Sequence, residues 1–130
     1  MIPYDDSFSP PAIVLPVTVA GIVQTHPDTT VQGLIDTGAD VTAIPASLRE
    51  KLDLHPFSRL QMEDARGIKE IVYTYEVMLA AVGQPPQALE VILVPFPFVV
   101  LGRDWLQAYY LLLNGPEETF IVSATPLMGN

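Results

Sequence analysis

Short runs of hydrophobic residues, each followed by turn-forming residues, are the main feature of the chain. Residues 12–24 (AIVLPVTVAGIVQ) are rich in Val and Ile and contain a Gly that indicates a turn or bulge. Residues 29–40 (TTVQGLIDTGAD) contain a short apolar stretch that predicts a strand ending at Asp36. Residues 88–96 and 98–102 predict two buried strands, because short continuous apolar runs are typical of strands covered on both faces.

Two segments have the pattern of β-hairpins. Residues 59–82 predict two strands around a polar tip, from Glu63 to Gly67, where the glycine suits the turn. Residues 110–124 predict two more strands, since two apolar runs lie on either side of Asn-Gly-Pro-Glu-Glu, a strong turn signal. We therefore expect the two strands of each segment to pair with one another.

Only two segments change to the spacing of a helix. Residues 44–54 predict a short helix in which Pro45 takes a first helical position and Leu48 and Leu52 fall four residues apart. Residues 103–110 follow a glycine and predict a second short helix. Many short strands, at most two short helices and no strand–helix alternation predict an all-β domain that is barrel-like or orthogonally folded.

Composition and charge narrow the classes of function. The 130 residues predict one domain, and 49% of them are hydrophobic, which is enough to build a core. A net charge of −9 argues against binding to nucleic acid or to anionic membranes, because both carry negative charge. Without cysteine, disulfides and thiolate chemistry are excluded. We expect a cytoplasmic protein, since the sequence has no signal-peptide pattern and no apolar run long enough to span a membrane.

The motif at residues 34–45 (LIDTGADVTAIP) places a carboxylate directly after two apolar residues. An aspartate in such surroundings is unfavourable unless backbone N–H groups donate hydrogen bonds to it. Gly38 has no Cβ and can expose its own amide in a tight turn, and the hydroxyl of Thr37 can hold that turn to a neighbouring one. The pattern favours a rigid, partly buried Asp36 that faces a cleft and acts as a general base. An ordinary turn aspartate after a strand is the alternative interpretation.

A second motif follows downstream, at residues 98–106 (FVVLGRDWL). An apolar pair followed by Asp-Thr-Gly-Ala, and a later apolar strand leading into Leu-Gly-Arg-Asp, make the chain similar to the retropepsin-like aspartic proteases, the retroviral-type superfamily. The resemblance covers residues 12–124 and implies a single barrel-like domain with a flap hairpin, here residues 59–82, and one or two short helices. Residues 1–11 would then be an extended N-terminal arm, and residues 125–130 a C-terminal tail.

The resemblance implies an aspartic endopeptidase that is active as a symmetric homodimer. The chain has one Asp-Thr-Gly, so Asp36 would face its symmetry mate, and the two carboxylates would share a proton and activate a water. A peptide or protein would be the substrate, and no metal or other cofactor is implied. The catalytic residues implied are Asp36, Thr37 and Gly38. The substrate-binding residues implied are Gly38, Ala39 and Asp40, with Ala65, Arg66 and Gly67 at the flap tip.

Three further residues of the two motifs have expected roles. The resemblance implies that Arg103 pairs with Asp40 as a structural ion pair; a solvated Arg at a helix start, which is electrostatically poor, is the alternative. Asp104 is expected to cap the second helix. Ala39 stands where many relatives have Ser, and it has no hydroxyl to donate to the carboxylate, so we expect activity to reach toward weakly acidic or near-neutral pH.

Other interpretations stay open at this point. A dimerisation or peptide-binding module could keep the fold without catalysis, and Asp36 and Asp40 of one chain could hydrolyse a non-peptide substrate, which predicts an active monomer. His26 and His55 have no partners at metal-ligand spacing, so we expect no metal site there. Residues 119–124 and the N-terminal arm are candidates for strand pairing between subunits.

Overall fold

Ten strands and two one-turn helices form the described part of the chain, residues 1–127 of a computed structural model. In chain order the elements are β1 Ile2–Pro3, β2 Val14–Gly21, β3 Thr29–Ile35, β4 Ala43–Pro45, α1 Leu48–Lys51, β5 Ser58–Glu63, β6 Lys69–Ala81, β7 Gln87–Val94, β8 Val99–Leu101, α2 Arg103–Leu106, β9 Tyr110–Asn114 and β10 Thr119–Ser123. The end of the predicted C-terminal tail, residues 128–130, lies outside the described residues. Between residues 1 and 127, no helix is long and apolar enough to cross a membrane.

Seven of the strands form one sheet, in the order β2-β3-β8-β4-β7-β6-β5. β2 also pairs with β6, so the sheet curls back on itself. Most neighbours are antiparallel, but β3 runs parallel to β8, and β4 runs parallel to β7. These pairings confirm the prediction of an all-β, barrel-like domain with two short helices.

The core is built by side chains that alternate along the strands. In β6, Tyr75, Val77 and Leu79 are buried while the residues between them are more exposed, as the two-residue period of a strand requires. Trp105 from α2 and Phe120 from β10 are fully buried in the same cluster. The strands that carry the two motifs are therefore fixed by packing on one common core.

Both predicted hairpins are present, and one detail of the first predicted helix is wrong. β5 pairs with β6, and β9 pairs with β10. The helix predicted within residues 44–54 is present as α1, but Pro45 is not in it. Pro45 ends β4 and lies opposite Val94 of β7, so the helix begins only at Leu48. The next residue, Ala46, supplies the N–H that proline lacks and donates it to the Val94 C=O at 2.9 Å.

A second sheet, in the order β1-β10-β9, ties the N-terminus to the last strands of the chain. β1 pairs with β10, and the Tyr4 N–H donates to the Glu118 C=O at 2.8 Å, so the start of the predicted arm is bound within its own chain. β9 lies along the whole of one edge of β10, but β1 pairs only with Thr119 and Phe120 on the other edge. Within residues 1–127, one edge of residues 121–123 has no strand beside it, so pairing of residues 119–124 with another subunit stays a prediction.

Candidate active site

Asp36 stands at the edge where two parallel strands end. Ile35 of β3 lies opposite Leu101 of β8, and the Asp36 N–H continues the ladder by donating to the Leu101 C=O at 3.0 Å. Asp36 Oδ1 accepts a hydrogen bond from the Gly38 N–H at 2.9 Å, which fixes the direction of the carboxylate. The side chain is exposed to solvent in the single chain, whereas the sequence predicts a partly buried one.

The sheet face that carries Asp36 is apolar. The two-residue period puts Leu34 on the same face as Asp36 and puts Ile35 on the core face. Leu34 belongs to a row that crosses five strands in register and that we name the apolar floor: Val14, Leu34, Val100, Ala43 and Ile92. Leu34, Val100 and Ile92 are half-buried and lie outside the main core cluster. Apolar surface therefore adjoins the exposed carboxylate.

Arg103 joins the two motifs. Its guanidinium donates to the Thr37 C=O at 2.7 Å and to the Asp40 carboxylate. Its backbone N–H donates to the Ala39 C=O at 2.9 Å. Asp40 and Arg103 are thus in contact, as the resemblance implies, and one residue holds the loop after Asp36 at three points.

Thr42 forms a buried network behind this loop, and the sequence patterns did not indicate it. Its hydroxyl donates to Asp104 Oδ1 at 2.7 Å and accepts from the Gly102 N–H at 3.1 Å, while its backbone N–H donates to Asp104 Oδ2 at 3.1 Å. Asp104 Oδ1 also accepts from the Trp105 N–H at 2.8 Å. The prediction that Asp104 caps α2 is wrong, because Gly102 is the N-cap residue and no side chain caps the helix; the Asp104 carboxylate ties α2 to the motif loop instead.

The tip of the β5–β6 hairpin holds Ala65, Arg66 and Gly67, all of them exposed. Gly67 has a φ of +81°, in the left-handed region that favours glycine. Asp64 accepts hydrogen bonds from Arg66 and from the Ile68 N–H. These bonds, first of all that from the Arg66 guanidinium, hold the pKa of the Asp64 carboxyl below its usual range. The tip therefore stands on a separate element from the motif loop and makes its polar contacts within itself.

Other polar groups and cavities lie away from Asp36. A cavity of about 590 Å³ is lined by residues of and around α1, with Leu93. His55, on its rim, lies 3.4 Å from Asp53, and His26 lies 3.0 Å from the Thr25 hydroxyl. Across residues 1–127, no three His, Asp or Glu side chains form a group that could hold a metal ion. The loop of Asp36 is the candidate active site, because it holds an exposed and oriented carboxylate beside the apolar floor.

Solved structures with a similar fold include a viral protease, a viral protease–reverse transcriptase and a retroviral protease-like domain. The foamy viral protease–reverse transcriptase bound to an RNA/DNA hybrid is 23% identical, with a TM-score of 0.57 over 76% of the chain, which spans only 12% of that protein. The EIAV protease bound to an inhibitor is 21% identical, with a TM-score of 0.53 over 74% of the chain and 86% of that protein. The retroviral protease-like domain of Ddi1 from Leishmania major is 16% identical, with a TM-score of 0.54, over 85% and 87%. The fold is therefore retropepsin-like.

The sequence also matches a family model, described as aspartyl protease, over residues 15–105. No curated protein is similar enough in sequence to match. The matched region covers more than half of the chain, begins in β2 and ends in α2, so it contains Asp36, the loop that follows it and Arg103. The chain belongs to this aspartyl protease family.

Proposed function

We propose that the chain is an aspartic endopeptidase that cleaves peptide bonds as a homodimer, with one Asp36 from each subunit in the active site. This proposal rests on one observation: an exposed Asp36 carboxylate, oriented by the Gly38 N–H at the end of β3, in a chain with a single Asp-Thr-Gly. Such a carboxylate has an open side that a second one can approach. A two-fold axis beside Asp36 would bring its symmetry mate to that side.

Asp40 is a poor second carboxylate. It is the next acid along the chain, but its side chain contacts the Arg103 guanidinium and is held in the loop. The same guanidinium binds the Thr37 C=O, so freeing Asp40 would also release the loop that supports Asp36. This arrangement argues against a single-chain pair of Asp36 and Asp40, and it favours a structural role for Asp40.

The dyad would work by sharing one proton. Two facing carboxylates cannot both ionise easily at short range, and aspartic proteases are the standard example of such a pair. The ionised Asp36 accepts a proton from a water molecule, whose oxygen attacks the carbonyl carbon of the peptide bond. The protonated Asp36 gives its proton to the carbonyl oxygen. When the tetrahedral diol collapses, one hydroxyl gives its proton to the Asp36 that is now ionised, the other Asp36 protonates the amide nitrogen, and the C–N bond breaks.

An extended peptide fits the surroundings of this dyad. The apolar floor begins beside Asp36 and would take apolar side chains of the substrate. The β5–β6 hairpin would close over the peptide as a flap and exclude water from the reacting bond. Strand-like hydrogen bonding would hold the peptide backbone, and the floor would select its side chains.

The edge of β9 is the surface that a second copy would cover. β9 is one of the two outer strands of the sheet β1-β10-β9, and its large apolar side chains Tyr110, Leu112 and Leu113 are exposed. Exposed apolar residues on an edge strand promote association with another chain. These exposed apolar side chains support the outer edge of β9 as a contact surface for a second copy.

Cleavage of a diverse peptide library by wild type and Asp36→Asn, at several pH values, tests this function. The substitution keeps the shape of the side chain but removes its ionisable group. We expect cleavage to fall by about a hundred- to ten-thousandfold. Asp28→Asn is the matched control, because it makes the same change in the exposed loop before β3 and should leave cleavage intact.

Two results would count against the proposal. Equal cleavage by wild type and Asp36→Asn would remove Asp36 from the chemistry. A folded dimer that cleaves nothing at any pH, yet binds peptides with or without the Asp36 carboxylate, would instead support the non-catalytic peptide-binding module.

A further inference from the structure

The tip of the flap hairpin is a turn built on one carboxylate. Asp64 Oδ1 accepts hydrogen bonds from the Arg66 N–H at 2.8 Å and the Ile68 N–H at 3.0 Å. Asp64 Oδ2 accepts from two nitrogens of the Arg66 guanidinium, at 2.9 and 3.3 Å. The backbone of Asp64 closes the same turn, since its N–H donates to the Ile68 C=O at 3.0 Å and its C=O accepts from the Gly67 N–H at 3.0 Å.

These bonds occupy three of the N–H groups that the tip could otherwise offer to a peptide. The N–H groups of Arg66, Gly67 and Ile68 all donate within the tip, and the Arg66 guanidinium folds back onto Asp64. The Ile68 side chain is 53% exposed and is the apolar group that the tip presents. Binding of substrate by the N–H groups of Arg66 and Gly67, or by the Arg66 guanidinium, would therefore require the tip to open first.

We propose that Asp64 is a positioning residue of the flap, whose ionised carboxylate holds the tip in one conformation, so that the substrate meets a preformed turn with the exposed Ile68 at its base. This inference rests on the proposed protease function, because it concerns the flap of that site. Only one glycine, Gly67, lies in the tip, so the conformation depends on these hydrogen bonds rather than on a run of flexible residues.

The tip should lose order as the pH falls. The Arg66 guanidinium, with the backbone N–H groups, lowers the pKa of the Asp64 carboxyl, so the bonds are present at neutral and weakly acidic pH. They are lost when the pH drops through that lowered pKa, since a protonated carboxyl is a weaker acceptor. The other charged groups near the tip are Glu63 and Lys69, which are cross-strand partners, and Glu70.

Amide hydrogen exchange at Arg66 and Ile68, followed by NMR in the full chain, reads the turn directly and needs no activity. In Asp64→Asn we expect exchange at both amides to be about tenfold faster than in wild type, because the charged acceptor is lost. Asp28→Asn is the control and should leave both amides unchanged. Arg66→Ala keeps the acceptor but removes the guanidinium, so the protection of both amides, relative to intrinsic exchange at the same pH, should begin to fall at a higher pH than in wild type.

Peptide cleavage by the same variants separates positioning from chemistry. We expect Asp64→Asn to raise KM about fivefold or more and to change kcat less than twofold, since the dyad is untouched. Unchanged exchange in Asp64→Asn would overturn the inference, and so would faster exchange with an unchanged KM. If the wild type cleaves nothing, the protease function itself is refuted. The amide exchange measurement would then still show whether Asp64 holds the tip in one conformation.

Discussion

Replacing Gly102 by alanine tests the close contact between the two motifs in the folded chain. Gly102 lies between β8 and α2, against the backbone of the loop that follows Asp36. A Cβ at this position would lie 2.8 Å from the carbonyl carbon of Val41 and 3.0 Å from the carbonyl oxygens of Ala39 and Val41. Backbone atoms cannot turn aside as a side chain can, so the whole motif loop would have to shift.

The size of the effect follows from these contacts. Carbon atoms pack best at about 3.5–4.0 Å, and relieving such an overlap in a packed interior costs about 1–3 kcal/mol. The shift would also weaken the Gly102 N–H bond to Thr42 and the Arg103 N–H bond to Ala39, each worth about 1 kcal/mol. We therefore expect Gly102→Ala to lower the free energy of unfolding by about 3–5 kcal/mol and Tm by roughly 10–20 °C.

Thermal and urea unfolding of Gly102→Ala and Gly115→Ala measure this effect against a matched control. A Cβ on Gly115, in the β9–β10 turn, would meet no atom within 4 Å, so its Tm should stay within about 2 °C of wild type. If the two variants had the same Tm, the close contact of Gly102 with the motif loop would not be a feature of the folded protein, and the geometry deduced for the site would be refuted.

Three further substitutions test separate parts of the account. Thr42→Val keeps the side-chain shape but leaves the Gly102 N–H and Asp104 Oδ1 without their hydroxyl partner, so urea unfolding should show a loss of about 2–3 kcal/mol; a loss below about 1 kcal/mol would contradict the network. Glu118 has a φ of +53°, so Glu118→Gly should stabilise the β9–β10 turn by about 0.5–1 kcal/mol, and a lower Tm would argue against that backbone conformation. Ala39→Ser adds a hydroxyl that can donate to the Asp36 carboxylate, so the pH optimum of the proposed cleavage should fall; an unchanged or higher optimum would refute that role.

The local features of the fold could be predicted because they depend on neighbours along the chain. The two hairpins follow from apolar runs that flank turn residues, and both are present. The position of Pro45 could not be predicted in this way, because it depends on β4 pairing with β7 and β8, and both of these strands lie far from β4 along the chain. The same limit applies to the pairing of Thr119 and Phe120 with β1, since β1 lies at the other end of the chain.

In the candidate site, too, some residues could be predicted from the sequence and others could not. Asp36, Gly38 and Arg103 stand out in the sequence because they belong to short motifs with a known chemical use. Thr42 does not stand out, because its sequence context is the same as that of an ordinary threonine in a strand. Asp104 and the Gly102 N–H come close to its hydroxyl only in the folded chain. Tertiary hydrogen bonds of this kind leave no periodic signal.

The central claim is that one active site needs Asp36 from two copies of the chain. Wild type and Asp36→Asn are mixed in different ratios at fixed total concentration, allowed to exchange subunits, and assayed for peptide cleavage. If each site needs two carboxylates, activity falls with the square of the wild-type fraction, to about one quarter at equal amounts. Activity that falls in direct proportion, to about one half, would mean that one chain carries a complete site, and it would contradict the account.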